Sequence, residues 1–391
     1  MSARPARRRP PVVAFVWAKF APYHRDRCAA LAAALGPAVE VRGLAVAATS
    51  TAYPWPEGSG PPAPGLRLVT LVQDRPAEAV GPLRRLRRLW PWLRDADVVF
   101  LCHYERPETL ALALWLRGHG IKPVVLFDST AQDKPRRAWR EALKRLWLKP
   151  YAGALAAGRR SSAYLAELGL PPERLASGYD TLDIARPRAE AGTPPAPDGP
   201  GHAERVVLVI ARLVPAKNLD AALDAHARYA GAVRALGRTP RPLVILGEGP
   251  LRPALERRIA TEALGPVQLP GFRPPAEVAR WLGRALALLL PSRSEPWGLA
   301  VNEALALGVP VLVSSRVGAA ADLVRPGVNG FVLDPDDTAG LAAHLRRLDL
   351  QPATWARLAR GAAASAPAGD VRHFVAGARS LIPSDVLGPA P

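Results

Sequence analysis

Cysteine is almost absent from this 391-residue chain: there are two, Cys28 and Cys102, and a single methionine. Neither cysteine sits in a C-x-x-C pair or a Cys/His cluster. That excludes a disulfide scaffold and a thiolate metal framework, and makes a reducing cytosol the default compartment. Carboxylates are also scarce, 34 Asp plus Glu against 52 Lys plus Arg, for a net charge of +18. The deficit is uneven: residues 1–200 carry 30 basic and 18 acidic groups, residues 201–391 carry 22 and 16. The first half therefore suits an anionic partner, whether phosphate substrate, nucleic acid or anionic lipid, or else is arginine-rich solvated surface. No apolar run approaches the roughly 18 residues a bilayer span requires. The start, MSARPARRRPP, is followed by VVAFVWAKF, which is short, broken by Lys19 and without a small-residue cleavage site. It reads as a disordered arm and then a strand, not a signal peptide.

What is present is a packed α/β pattern. Hydrophobic residues make up 49% of the chain, too many for wholesale disorder, and the length suits two domains. Apolar, β-branched runs alternate with helical ones. PVVAFVW, VEVRGLAVA, GLRLVTLV, DVVFLCHY and KPVVLFDST are strands in the first half, with a Pro/Gly-rich loop at 53–65. The stretch 187–203, PRAEAGTPPAPDGPGHA, has no periodicity and reads as a linker. The pattern then restarts with RVVLVIARL, PLVILGEG, VQLPG, LALLLPS, VPVLVSS and GFVLD. Alternation of this kind implies βαβ units, a parallel sheet in each half and right-handed crossovers. The expected domains are 1–186 and 204–370, with 371–391 crossing back onto the first. Two such domains face each other across a cleft, where ligands bind.

Chemistry concentrates in the second half. SRSEPWGLAVNEALALGVP (292–310) contains a helix that reads as apolar all round, hence buried, except for Asn302 and Glu303. An ionised carboxylate in such a place costs on the order of several kcal/mol unless it is paired or hydrogen-bonded. It is either a structural ion pair or a group awaiting a ligand's hydroxyls. EPWG is turn chemistry, Gly298 admits a ligand to the backbone, and free amides at the helix start suit a phosphate. IARLVPAKN places Arg212 and Lys217 after a strand, two cations that suit a diphosphate. LGEGP (246–250) is a glycine-rich turn after the next strand.

ARLVPAKN, LGEGP, LPGF, PSRSEPWGLAVNEALALGVPVLVSSRVGAAADLV and GVNGFVLDPDD, in this order over about 130 residues, resemble the nucleotide-sugar half of the retaining glycosyltransferases of family 4. The resemblance implies an α/β, GT-B architecture: two Rossmann-like doubly wound domains. It implies that Glu303 binds the ribose hydroxyls, that Glu295 contacts the donor sugar, and that Arg212 and Lys217 stabilise the diphosphate. Backbone at Gly298 and Leu299 completes the phosphate site, Phe272 and Arg273 stand at the base, and Gly249 and Trp297 join the donor set. It further implies transfer with retention to a hydroxyl acceptor, saccharide, lipid-linked or small, with no essential metal or other cofactor. The catalytic set is Glu295, His103, Arg212 and Lys217.

In the first half, WAKFAPYHRDR stands where the family has a glycine-rich loop, a departure that weakens the carry-over of that loop's phosphate contact. Tyr23 and His24 face the cleft or are structural. His103, at a strand end, answers to a family histidine beside the transferred sugar, with Tyr104 as its rival. FDSTAQDKPRR offers Asp128, Ser129, Thr130 and Lys134, and ASGYDTLD offers Tyr179 and Asp180, as acceptor-side groups. PLRRLRRLWPWLR (82–94) and RRAWREALKRLWLKP (136–150) mix cations with Trp and Leu. They are interfacial helices for an anionic membrane surface or ordinary helices with charged outsides. No nucleic-acid motif accompanies the charge. The reading is a cytoplasmic transferase, peripheral on the inner membrane face if those helices bind lipid, in cell-envelope polysaccharide or glycolipid synthesis. A GT-B nucleotide-sugar 2-epimerase and an inactive nucleotide-sugar-binding protein are the alternatives.

Overall fold

The computed structural model describes residues 9–51, 64–133 and 135–387. The first eight residues of the basic arm, nearly all of the 53–65 loop and Lys134 lie outside them. The chain divides into two compact units. The first comprises residues 1–129, 135–181 and 371–391; the second comprises 130–134 and 182–370.

The first unit is built on seven parallel strands: β1 (Val12–Trp17), β2 (Glu40–Ala45), β3 (Leu66–Thr70), β4 (Val98–Leu101), β5 (Lys122–Phe127), β6 (Gly153–Ala156) and β7 (Leu175–Ser177). Their order is β3-β2-β1-β4-β5-β6-β7. All six residues of β1 are buried, as expected of a strand covered on both faces. Phe15 stacks on Phe100 at 4.5 Å and on Trp17 at 5.5 Å. The helix Arg372–Leu381 contributes Phe374, whose ring lies 5.5 Å from that of Phe15.

The second unit has six parallel strands: β8 (Val206–Ile210), β9 (Leu243–Leu246), β10 (Val267–Gly271), β11 (Ala285–Leu290), β12 (Val311–Ser314) and β13 (Gly330–Leu333). The order is β10-β9-β8-β11-β12-β13. Runs such as VVLVI and ALALLL carry no alternation because neither sheet face meets water. The stretch 187–203, expected as a linker, is part of this unit instead. Ala185–Ala191 is helical and packs on the helix Pro275–Gly283. Ala196 is buried, and its N–H donates to Leu307 O at 2.8 Å. The glycines and prolines here make close approach rather than slack: a Cβ on Gly308 would stand 2.2 Å from Ala196 O. No helix among the described residues is long and apolar enough to cross a membrane.

Candidate functional site

In the second unit the chain leaves β8 toward β9 on one side and leaves β11 toward β12 on the other. The β8/β11 pair is therefore the topological switch point, the place beyond whose carboxyl ends open parallel sheets take their ligands. Two loops flank it, residues 211–218 after β8 and 291–298 after β11. Backbone bonds tie them together: Arg293 N–H and Ser294 N–H both donate to Ala216 O, at 2.8 and 3.2 Å. Across this seam Lys217 Nζ donates to Glu295 Oε2. Lys217 is buried and Glu295 nearly so, which makes the pair far better shielded than a surface ion pair.

Lys217 is held by its neighbour. Asn218 adopts a left-handed backbone, φ 51°, a conformation in which Asn is enriched among residues that carry a side chain. Its Nδ2 donates to Pro291 O at 3.1 Å and to Pro335 O at 2.8 Å, so one side chain fastens three loop segments. Glu295 is held from the other side. Gly318 N–H donates to Glu295 O and Ala319 N–H to Trp297 O, each at 2.9 Å. A Cβ on Gly318 would lie 1.8 Å from Pro296 O, so this approach needs glycine. Trp297 donates its Nε1–H to Asn302 Oδ1 at 3.0 Å, and Asn302 Nδ2 donates to Gly369 O at 3.1 Å. Trp297 is thus buried and its indole anchored to the helix that follows.

Gly298, at φ 98°, opens the helix Leu299–Ala306, whose start carries no capping side chain. This helix is not buried all round, as its composition suggested. Val301, Asn302, Ala304, Leu305 and Ala306 are buried, whereas Leu299, Ala300 and Glu303 are half-buried. Positions i, i+1 and i+4 form one stripe, so Glu303 lies on the one open face, a turn beyond the helix start.

The remaining donor-side residues also stand at carboxyl ends of strands. Gly247 and Gly249 follow β9 at φ 149° and 156°. A Cβ on either would come within 1.9 Å of Ala211 O or 2.5 Å of Leu213 O, so this turn abuts the loop bearing the exposed Arg212. Phe272 and Arg273 follow β10 and are half-buried; Arg273 Nη1 donates to Phe272 O at 3.2 Å, and its Nε pairs with Glu277 at 3.3 Å.

The first-unit candidates divide by engagement. Tyr179 is buried; its hydroxyl accepts from Trp17 Nε1 at 3.0 Å, and Arg27 lies 4.7 Å over its ring. Asp180 pairs with fully buried Arg27 at 3.2 Å. Tyr104 is buried against Phe127, ring centroids 4.9 Å apart. Thr130, which groups with the second unit, bonds Asp133 through both its hydroxyl and its N–H. Tyr23, His24, His103 and Ser129 are half-buried. His24 stacks on Trp17 at 4.5 Å and accepts from Ala21 N–H at 3.0 Å. Removal from water by this packing, aided by Arg27, holds its pKa well below the ordinary imidazole value. His103 has φ 62°, an uncommon backbone for a non-glycine residue. Beside Cys102, and with Glu105 Oε1 3.5 Å from its Nδ1, its imidazole is pushed up to about 10 despite burial.

Sequence reasoning singled out the charged groups but missed the residues that set them. Asn218 carried one signal, an Asn ahead of a helical run, where a left-handed residue is tolerated. Gly318 carried none until the turn over it was visible.

Residues 196–364 match the family described as Glycosyl transferases group 1. The second unit belongs to the group 1 glycosyl transferases. Curated relatives of this domain include the D-inositol 3-phosphate glycosyltransferase of Thermomonospora curvata, 36% identical over 163 residues, 40% of this chain and 37% of that protein. A putative colanic acid biosynthesis glycosyltransferase of Salmonella typhimurium is 33% identical over 188 residues, 46% of this chain and 43% of that protein. The matches thus span about two fifths of these relatives. Solved structures are similar over nearly the whole chain. Anabaena HepE, in complex with UDP and glucose, has a TM-score of 0.67 at 17% identity, covering 94% of this chain and 98% of that one. Thermosynechococcus elongatus sucrose-phosphate synthase has a TM-score of 0.66 at 18% identity, covering 95% and 98%. With its two Rossmann-like units, the group 1 domain and its companion make up the GT-B fold.

Proposed function

We propose that the chain transfers a sugar from a nucleoside-diphosphate sugar to a hydroxyl acceptor, with retention of configuration. The observation that carries this reading is the shielded Lys217–Glu295 pair at the β8/β11 switch point, beside the uncapped helix start at Gly298. The diphosphate lies against Arg212, Lys217 and the helix amides, which stabilise the charge that develops as it leaves. Lys217 then exchanges its carboxylate partner for a phosphate oxygen, and Glu295 turns to a sugar hydroxyl. Glu303, on the open face of its helix, accepts from the ribose hydroxyls. In the transfer itself the anomeric C–O bond to phosphate breaks and a bond to the acceptor oxygen forms on the same face. The acceptor's proton goes to the departing diphosphate. The role needs no metal, so activity should survive EDTA. The names of relatives, colanic acid biosynthesis among them, support an acceptor in cell-envelope polysaccharide or glycolipid synthesis.

A thermal-shift screen of nucleoside-diphosphate sugars, followed by calorimetry, tests the reading. Glu303→Gln should weaken nucleotide binding by about tenfold or more, the value of hydrogen bonds to a charged group, with little change in melting temperature. Unchanged affinity would reject the role. Donor converted to an epimer without acceptor would reassign the chemistry.

A further inference from the structure

The helix Ala138–Leu148 in the first unit is turned the opposite way from an ordinary amphipathic helix. Trp139, Leu143 and Leu146, at spacings of four and three, point outward and are 60%, 40% and 56% exposed. The inward side carries Leu148 and a carboxylate, Glu141, which is only 7% exposed. Glu141 accepts from Tyr164 Oη at 2.9 Å, from Lys144 Nζ at 3.1 Å and from Arg136 Nη2 at 3.2 Å. These bonds fix the helix's rotation. Burying a carboxylate while leaving an indole and two leucines of one helix face in water is a double expense, and clustered exposed apolar side chains rimmed by polar ones mark interaction sites.

Two further helices on the same side of the sheet also expose apolar side chains. Pro82–Leu93 exposes Leu83, and Pro107–Gly118 exposes Leu114 and Trp115. Trp90 and Trp115 stack at 4.2 Å, joining these two. Arg117 Nη1 donates to Lys149 O and Pro150 O, at 3.1 and 3.2 Å, joining the second to the end of Ala138–Leu148. The three helices are successive crossovers, β3 to β4, β4 to β5 and β5 to β6, all running the same way along the sheet. Right-handed connection puts them on one face of it. Arg87, Arg88, Arg137, Arg140 and Arg145, on these helices or at their start, are exposed as well. Neither Pro82–Leu93 nor the outer side of Ala138–Leu148 carries a carboxylate, and Glu108 on the middle helix is paired with Arg85 at 3.0 Å.

We propose that this three-helix face docks on an anionic lipid bilayer, with Trp139, Leu143 and Leu146 seated among the headgroups and the arginines pairing with lipid phosphates. An indole and aliphatic side chains between arginines are what the headgroup layer accommodates. A second copy of the same face would bring like charges together, which argues against self-association. The proposal rests on the first unit alone and does not depend on the donor site.

Co-sedimentation of the full chain with vesicles tests it, comparing phosphatidylglycerol/phosphatidylcholine mixtures with pure phosphatidylcholine. The chain should bind the anionic vesicles about tenfold or more tightly than the neutral ones, and added salt should weaken binding. The triple variants Trp139→Ser/Leu143→Gln/Leu146→Gln and Arg137→Gln/Arg140→Gln/Arg145→Gln should each lose about tenfold or more, with melting temperature and nucleotide affinity unchanged. Vesicles with brominated acyl chains should quench the tryptophan emission of the wild type more than that of Trp139→Phe, a variant that keeps an aromatic ring in place. No vesicle binding, equal binding to neutral vesicles, retention by the apolar triple variant, or equal quenching of Trp139→Phe would each overturn the proposal. So would a dimer in light scattering that the apolar variant disperses while vesicle binding is absent.

Discussion

His24 shows how much one side chain can carry outside the proposed chemistry. Its ring lies flat on Trp17, and its Nδ1 takes the N–H of Ala21 at the start of the helix Pro22–Leu35. Both contacts use the neutral imidazole, and the pKa is depressed accordingly. The sign follows: above about pH 6.5 both folded and unfolded histidine are neutral and the contribution is complete. As pH falls below that value the unfolded chain takes up a proton first, and stability is lost. His226, buried and also depressed, acts in the same direction. His24→Gln should therefore flatten, without abolishing, the fall in melting temperature between pH 7 and pH 5. Gln at this third helical position can still accept from the Ala21 N–H. A variant with the wild-type slope in differential scanning fluorimetry would refute the assignment. At this scale the sequence was an uneven guide. Glu303 stood out as a charge among apolar neighbours, but periodicity could not say that one stripe of its helix stays open. Tyr179 and Asp180 stood out as acceptor-side candidates, but their engagement with Trp17 and Arg27, across more than 150 residues, is something no local pattern encodes.

Among the elements, long apolar runs were legible because parallel strands buried on both faces leave continuous Val/Leu/Ile segments. Eleven strands were legible, the central ones in this way and the partly exposed β3, β10 and β13 from their place in the βα alternation; β6 and β7 were not. β6 is GALA, buried but made of residues with little β-propensity, and β7 is three residues long. The loops were legible in composition and illegible in purpose. The turn after β9 needs Gly247 both for its backbone, φ 149°, and because its absent Cβ would meet Ala211 O at 1.9 Å. Gly247→Ala should cost about 1–3 kcal/mol of stability and also displace the Arg212 loop, weakening nucleotide binding. Denaturant melts paired with calorimetry check this. A variant of unchanged stability would mean that the turn relaxes freely, and unchanged affinity that the Arg212 loop is set by other contacts.

For the whole molecule, the decisive feature is that the first unit is not a contiguous piece of chain. Phe374, Ala378, Ile382 and Val386 lie in the same core cluster as Val13, Phe15 and Phe100. Burial of the three large side chains among them is worth roughly 5–8 kcal/mol, comparable to the total stability of a domain. Deleting residues 371–391 should thus expose the first unit to limited proteolysis while the second still resists and binds nucleotide. Equal protection of both units would contradict the assignment. Composition suggested a division near 187–203, since Pro and Gly usually signal slack. Contacts place it at 181/182 and 370/371, because here those residues let backbones meet.

That interleaving has a consequence for how the protein is made. The second unit is almost wholly one run, 182–370, and can close as soon as it leaves the ribosome. The first, although translated earlier, waits for residues from beyond residue 370. At about 5–20 residues per second, its sheet spends roughly 10–40 s with the Phe15–Phe100 stack lacking its last covering helix. The unit that begins synthesis first is the one that finishes folding last, and during that interval the nascent chain depends on whatever keeps an open apolar sheet soluble.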